Sequence, residues 1–484
     1  MTSARIFRFA LLAFVGGVFA GSFFFAWSPS LPLWLIAVSL AFASAWPNRY
    51  GVALALACLS LSWGFFSVSD AERYWTSDRA LGFVSGEVRI VRAPERKDAF
   101  QEVVARFVSC ESALCPSDLV SVRLPLFYTL SYGEAGRISC EVESPAEEWR
   151  MYYAKDGIGF SCRAKEWASK AKSSAFPVRL RGMADRFEAA IGEVLPEPES
   201  SLAKGLLLGG NGRLPQDVRD DFRVAGLSHI VAVSGYNISI IAGYFLLIGI
   251  ALFLPRKKAA ILALVGTLAF VFIAGAPSSA LRAVGMAGAL ILSWWFGRRY
   301  ASLWAILLVA ALMLLWSPLL LRHDLGFILS FFATLGIALF APWVERVVRQ
   351  VRHGRFFLEA FLLTLSAELF ILPILFFNFG VFSLVTFPTN TILLPLVPLA
   401  MLATFFSAVF GMVVPALGYI LAFPTYAVLH LIISGASYAA SFDQAVITSD
   451  TFGWGSVVLW YAVLGGLVLL GGFLRRRMFD DTRV

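Results

Sequence analysis

Two side chains with the chemical types of a nucleophile and a base lie close together in one glycine-rich stretch. They are Ser234 and His229, within the run Gly226-Leu-Ser-His-Ile-Val-Ala-Val-Ser-Gly-Tyr-Asn. A serine activated by a histidine performs hydrolysis, but it needs a third group that orients the imidazole. The stretch has no Gly-x-Ser-x-Gly elbow and no acidic residue nearby. We therefore expect no enzymatic activity and interpret the stretch as a site that binds or passes a ligand.

Motifs for cofactor-dependent chemistry are missing from the sequence. A phosphate-binding loop of the form Gly-x-x-x-x-Gly-Lys-Ser/Thr does not occur, so the chain does not supply its own ATP-driven motor. The four histidines, His229, His323, His353 and His430, form no His-x-His pair. The sequence thus predicts neither a cofactor nor a metal site.

Several polar residues interrupt segments that are otherwise apolar. Glu368 lies near the middle of segment 357–377, where a carboxylate normally faces a partner or a water-filled cavity, although it can also pin a neighbouring helix. Arg282 either faces inward or extends its guanidinium towards the membrane surface. Asp324 is placed to cap a helix or to line a path. The predicted path residues are His229, Ser234, Gly235, Asn237, Arg282, Asp324, Ser330, Glu368 and Asn390.

The composition is that of a protein with many membrane spans. Hydrophobic residues make up 58% of the 484 residues, charged residues make up 15%, and the mean hydropathy is +0.75. A soluble protein would expose much of that apolar surface. Arginine and lysine gather in short loops beside apolar segments, which is the positive-inside pattern. This pattern accounts for the net charge of +8 without a nucleic-acid partner.

The apolar segments predict an α-helical polytopic membrane protein with about twelve transmembrane helices. Three segments lie at the N-terminus: 6–27, 31–46 and 50–68. Nine follow the glycine-rich stretch: 229–254, 259–275, 280–296, 301–316, 325–341, 357–377, 384–412, 416–440 and 455–474. No cleavable signal peptide is evident, and the basic loops place both termini in the cytoplasm. Three prolines in 384–412 leave a re-entrant hairpin open as an alternative.

Residues 70 to 170 form the only extended non-membrane region. Alternating apolar residues and glycine-bearing turns predict five strands in a small antiparallel barrel like an oligonucleotide-binding (OB) fold. Four cysteines in this region predict two disulfides and a periplasmic location, with zinc as the less favoured alternative. Of three possible pairings, proximity favours Cys110–Cys115 with Cys140–Cys162.

Two features next to the barrel have roles that the sequence leaves open. Trp149, Tyr152 and Tyr153 suit either base stacking or ordinary packing at the barrel rim. Apolar residues at helical spacing predict an amphipathic helix over 178–194. That helix lies either along the membrane surface or on the barrel.

The motifs of the second half of the chain resemble those of the ComEC/Rec2 competence proteins. The run from Gly226 to Asn237 is similar to the family signature G-L-x-H-L-L-A-I-S-G-x-H. Pro277-Ser-Ser-Ala-Leu-Arg-Ala-Val-Gly-Met and Leu325-Gly-Phe-Ile-Leu-Ser-Phe-Phe-Ala follow in the family's order. Ser366-Ala-Glu-Leu with Pro373, and Asn390 with Pro395, complete the set. With the N-terminal spans and the barrel, the resemblance covers nearly the whole chain.

The resemblance implies a channel that passes single-stranded DNA across the inner membrane during natural transformation. Its implied partners are the strand, a periplasmic DNA receptor of the ComEA kind, a cytoplasmic ATPase or helicase of the ComFA kind or another motor, and membrane lipids. Asn237 stands where many members have a second histidine. The sequence ends at Val484 without the metallo-β-lactamase-like domain of longer members, so we expect that another protein degrades the second strand. Because a bare carboxylate repels phosphate, we expect Glu368 to pair with a cation, first of all Arg282.

The expected parts of the chain follow from these segments. They are three transmembrane helices in 1–69, a periplasmic OB-like β domain with disulfides in 70–170, an amphipathic helix and connector in 171–204, a competence domain in 205–476, and a cytoplasmic tail in 477–484. Two alternatives of other classes stay open. One is a proton-coupled permease or flippase for a small or lipid-linked anion that uses Glu368 as a relay. The other is an envelope scaffold whose barrel does the binding.

Overall fold

The computed structural model describes most of the chain as two compact units. The described residues are 3–24, 49–76, 82–92, 94–96, 99–111, 115–164, 166–172, 176–209, 214–231, 234–442, 446–448 and 452–480. The predicted span 31–46 lies outside them. The first unit comprises Met1–Arg186 with Ile241–Ile328, and the second comprises Phe187–Ile240 with Leu329–Val484.

The helices and strands are numbered here in chain order. The helices are α1 Ser3–Phe24, α2 Arg49–Thr76, α3 Glu147–Ala154, α4 Phe176–Val194, α5 Glu199–Leu208, α6 Gln216–Val224, α7 Ser228–Val231, α8 Gly235–Ala251, α9 Arg256–Ile273, α10 Ser278–Trp295, α11 Ser302–Trp316, α12 Leu320–His323, α13 Leu325–Gln350, α14 Arg355–Phe379, α15 Thr386–Leu393, α16 Leu396–Val413, α17 Pro415–Ala440 and α18 Trp454–Asp480. The strands are β1 Gly82–Ile90, β2 Glu95–Arg96, β3 Gln101–Cys110, β4 Leu119–Leu124, β5 Glu134–Glu143, β6 Ile158–Arg163, β7 Ala168–Lys172, β8 Val381–Ser383 and β9 Val446–Thr448.

Long apolar helices dominate the chain. Within the described ranges, six stretches are long and apolar enough to cross a membrane: Arg5–Phe23, Val52–Thr76, Leu325–Gln350, Arg355–Phe379, Leu396–Val413 and Pro415–Ala440. Three shorter helices are also apolar: Gly235–Ala251, Ser302–Trp316 and Trp454–Val468. The chain is therefore a helical membrane protein, as its composition indicates. The count of twelve spans stays a prediction.

The polar region of the first unit folds into a closed barrel. β1 pairs with both β3 and β5, which closes the order β1-β3-β4-β6-β5. The five predicted strands are present, but the expectation of an entirely antiparallel barrel is wrong for one pair, because β4 and β6 are parallel. The reason is α3, which connects β5 to β6 and brings β6 between β4 and β5. There β6 runs antiparallel to β5 and parallel to β4.

The barrel contains the two disulfides that cysteine spacing predicts. Cys110–Cys115 closes a short loop at the end of β3, and Cys140–Cys162 joins β5 to β6. The second bridge is buried among apolar side chains of the barrel core, such as Val142 and Phe160. A small barrel gains stability from such cross-links because they restrict the unfolded chain.

Helices α1 and α2 of the first unit pack with their backbones in close contact. A Cβ added at Gly17 would lie 2.0 Å from the carbonyl oxygen of Leu61, and one added at Gly64 would lie 2.4 Å from that of Phe14. Both positions therefore require glycine. Small residues at a helix interface are the usual way in which membrane helices associate, since lipid offers no hydrophobic driving force between them.

The second unit contains a break in the block 384–412, which the sequence predicts as one span with a hairpin as alternative. The block forms two helices, α15 and α16, which are separated at Leu394 and Pro395. Proline lacks the amide proton that a continuous helix would need there. After α16 the chain reverses into α17, and the two helices touch at glycines: a Cβ on Gly418 would lie 2.5 Å from the Cα of Gly411.

Candidate functional site

The glycine-rich stretch begins with a helix end that only glycine can form. Helix α6 buries Val218 and Phe222 and ends in a Schellman motif. In it, the Gly226 N–H donates to the Arg223 carbonyl at 3.2 Å, and the Leu227 N–H donates to the Phe222 carbonyl at 2.8 Å. Gly226 has a φ of +74°, and a Cβ there would lie 2.2 Å from the Thr386 hydroxyl oxygen. The first signature residue is thus required both by its backbone and by its contact with α15.

Asn237 ties three helices of the second unit together. Its side chain is 0% exposed, and its Nδ2 donates to the carbonyls of Leu206 at 3.3 Å and Ile230 at 3.0 Å. The Ser234 hydroxyl donates to Asn237 Oδ1 at 3.1 Å and accepts the Asn237 N–H at 3.2 Å, which caps the start of α8. Both groups of the Asn237 amide are therefore used within the fold, so this residue shapes the turn.

His229 and Gly235 lie on either side of that cap. His229 is exposed, and its Nδ1 lies 3.0 Å from the Gly226 carbonyl, while Gly235 is the first residue of α8. Among the hydrogen bonds of the described residues, none joins His229 to Ser234. The Ser234 hydroxyl is engaged with Asn237, and the pair does not have the geometry of a nucleophile with its base.

Asp324 has two structural contacts within the first unit. Its Oδ1 accepts the Phe327 N–H at 3.0 Å, so it is the N-cap of α13, and its Oδ2 lies 3.3 Å from Lys155 Nζ. Arg282 on α10 is only 9% exposed, so it does not extend outwards, and its Nη1 lies 3.7 Å from Met286 Sδ. Ser330 is on α13, where its carbonyl accepts the Thr334 hydroxyl at 2.8 Å.

The barrel is fixed to two helical elements of the first unit by residues that the sequence analysis did not single out. Lys155, which follows α3, meets Asp324 through its ammonium, and its carbonyl accepts the Ser317 hydroxyl at 3.3 Å. At the end of α2, the Tyr74 hydroxyl donates to Asp118 at 3.0 Å. Partners so distant in sequence leave no local pattern, so only the folded chain reveals them.

Four buried polar atoms of the second unit have no hydrogen-bond partner among the described residues. They are Glu368 Oε2, Ser383 Oγ, Asn390 Oδ1 and Thr404 Oγ1. Their elements, α14, β8, α15 and α16, follow one another in the chain and pack together. Each unsatisfied polar group inside a protein costs about 1–3 kcal/mol. In a membrane protein such groups normally face water or a transported ligand.

Ser383 and Thr404 of this set could not be identified from residue type. Serine and threonine in apolar helices usually donate to their own helix, as Ser366 does to the Leu362 carbonyl at 2.6 Å. A hydroxyl without that local bond looks identical in the sequence. The predicted pairing of Glu368 with Arg282 joins residues of the two units and stays a prediction.

Comparison with known proteins agrees with the signature motifs. The family model described as "Competence protein" matches residues 206–474, more than half of the chain. ComE operon protein 3 of Bacillus subtilis (strain 168) is 25% identical over 277 residues, which are 55% of this chain and 35% of the relative. An uncharacterized protein of Aquifex aeolicus (strain VF5) is 33% identical over 149 residues, 30% of this chain and 35% of the relative. The chain thus matches about a third of the length of each of these relatives, and no solved structure gives a significant match. The signature turn and the match over its second half place this chain in the competence protein family, of the ComEC/Rec2 type.

Proposed function

We propose that this protein is an inner-membrane channel that passes single-stranded DNA into the cytoplasm during natural transformation. Family membership supports a role in DNA uptake. The observation that carries the channel role is the set of buried, unpartnered polar atoms on α14, β8, α15 and α16. A strand moving through lipid needs a polar lining, and broken backbone at membrane depth is tolerated only beside protein or water.

The signature turn is the mouth of the proposed channel. A cleft beside it is lined by Arg219 and Arg223 of α6 and by Ser228. Guanidinium groups bind phosphate oxygens well, so this cleft suits the backbone of an entering strand. Asn237 and Ser234 keep the turn in shape, and His229 is exposed at it. The protein then guides the strand and performs no chemical step on it.

The barrel is proposed as an OB-like receiving domain outside the membrane. Its closed five-stranded form and its two disulfides support this assignment. Trp149 and Tyr152 are 56% and 49% exposed and are available for stacking on bases. Both termini lie in the cytoplasm in this arrangement, with twelve spans between them. A periplasmic receptor delivers the strand, and a cytoplasmic ATPase or other motor pulls it.

The decisive test follows labelled DNA in a strain that lacks the chromosomal copy and carries this gene. Labelled single strands should enter the cytoplasm, and duplex DNA should bind the cell surface equally well with and without the gene. Thr404→Val removes an unpartnered hydroxyl and should reduce entry. The matched control is Thr267→Val, whose equally buried hydroxyl donates to the Ala263 carbonyl at 2.6 Å. Equal entry with and without the gene would refute the channel role.

A proton-coupled permease or flippase for a small or lipid-linked anion is the second candidate. Glu368 favours it, because this carboxyl is 7% exposed at the middle of an apolar span and suits a proton relay. Uptake of a small anion that follows the pH gradient, is unaffected by DNA and is lost in Glu368→Gln would support it. A DNA-dependent phenotype without such transport would exclude it.

A further inference from the structure

Helix α17 holds two acidic residues from the segment that leads into the signature turn. His430 Nδ1 lies 2.8 Å from Glu199 Oε1 of α5, and the Ser437 hydroxyl donates to Asp221 Oδ2 of α6. Positions 430 and 437 are two helical turns apart, so both contacts lie on one face of α17. The helix therefore clamps residues 199–224 at two points, one of which can change its charge.

The Glu199–His430 contact lies deep in the second unit. His430 is near the middle of the apolar span Pro415–Ala440, and the Glu199 side chain is 4% exposed. A buried carboxylate needs a compensating positive charge, and losing it is costly. The His430 side chain is 53% exposed, which leaves it open to proton exchange, and the Tyr426 ring stacks on it at 5.3 Å.

We propose that Glu199 and His430 form a proton-binding site that controls how firmly the segment 199–224 is held against α17. Histidine is the side chain whose charge ordinarily changes between pH 5 and 8. A protonated His430 makes a charge-assisted ion pair with Glu199, whereas a neutral His430 offers only an ordinary hydrogen bond to the same carboxylate. Proton binding thus tightens the clamp, and proton release loosens the segment that positions the signature turn.

Other charged groups near the clamp have partners of their own. On α5, Lys204 lies 3.8 Å from Glu197 and 3.4 Å from the Ser200 hydroxyl. On α6, Asp221 is bonded to Ser437. The sequences of α15 and α16, which also pack on α17, contain no Asp, Glu, Lys, Arg or His. Glu199 is therefore the acidic group that answers the charge of His430.

Hydrogen–deuterium exchange of the purified full chain in lipid nanodiscs tests the proposal without DNA. After correction for intrinsic exchange, amides of 199–208 should exchange about tenfold faster at about pH 8 than at about pH 5.5 in the wild type. His430→Gln, which keeps a hydrogen-bond donor, should abolish that difference, and so should Glu199→Gln. If Glu199→Gln does not fold, His430→Gln alone decides.

Two controls separate titration from a general loss of contacts. Ser437→Ala breaks the neighbouring tie without removing a titrating group, so it should raise exchange at both pH values and keep their difference. His353→Gln removes an exposed histidine of the α13–α14 loop and should change nothing. The proposal is overturned if the wild type shows no pH difference, or if His430→Gln retains it. Both results leave the DNA-channel role untouched, since the readout contains no substrate.

Discussion

Lys155 Nζ lies 3.3 Å from Asp324 Oδ2, and the two side chains are only 10% and 13% exposed. This ion pair joins the barrel to the start of α13 within the first unit. The same carboxylate caps α13 through the Phe327 N–H. One residue that the sequence assigns to a membrane path thus positions the external domain as well.

Replacing Asp324 by asparagine should destabilise the first unit. The change leaves the mostly buried Lys155 ammonium without its counter-charge, which costs about 3 kcal/mol. Arg92→Ala, which removes an exposed pair with Asp156 at 3.1 Å, should cost less than about 1 kcal/mol. Thermal unfolding of the purified variants measures both. Additive losses in the double variant Lys155→Met/Asp324→Asn would contradict a direct coupling.

A methyl group at Gly226 should disturb the signature turn. Gly226→Ala places a Cβ at a φ of +74° and 2.2 Å from the Thr386 hydroxyl oxygen, so it should cost at least about 1–2 kcal/mol. Thr386→Ala should relieve the contact but not the backbone strain, and thus restore only part of the stability. Gly288→Ala is the control, because a Cβ there meets no atom within 4 Å. Unfolding of all four proteins and DNA uptake in cells provide the measurements.

Acid should destabilise the first unit through His323. Burial and the nearby charges of Arg322 and Lys155 lower the pKa of His323 from 6.5 to about 4, and its Nε2 has no partner among the described residues. The unfolded chain then binds this proton more readily than the folded one. Stability is therefore present above pH 6.5 and is lost as the pH falls towards 4, by on the order of 2 kcal/mol.

The variant His323→Gln isolates that contribution. Its unfolding temperature should fall less steeply than that of the wild type between these pH values, since glutamine does not titrate. His353→Gln is the matched control, because that exposed histidine should leave the wild-type slope unchanged. Identical slopes for His323→Gln and the wild type would disprove the assignment.

DNA uptake should reveal whether Glu368 and Arg282 act as a pair. Glu368→Gln and Arg282→Ala should each reduce strand entry, and the double variant should lose no more than the worse single variant. Additive losses would instead indicate that the two residues act independently. Ser366→Ala serves as the control on α14, because its hydroxyl donates to the Leu362 carbonyl of its own helix.

Local patterns in the sequence determined much of this protein. Apolar runs of membrane length, glycines at αL positions and cysteines close in sequence report on nearby residues, so the long helices, the barrel strands and both disulfides were predictable. The ComEC/Rec2 signature was likewise readable as an ordered set of short motifs. The predicted single span 384–412 failed in the middle because periodicity does not say where a proline will break a helix.

Only the tertiary structure decided which polar residues meet. Asn237 is a three-helix tie, Asp324 is a cap and anchor, and His430 faces Glu199 across 231 positions of sequence. Such contacts depend on how distant helices pack, and residue type carries no information about that. The same holds for the parallel pairing of β4 with β6, since a connecting helix sets the order of strands that local alternation alone cannot specify.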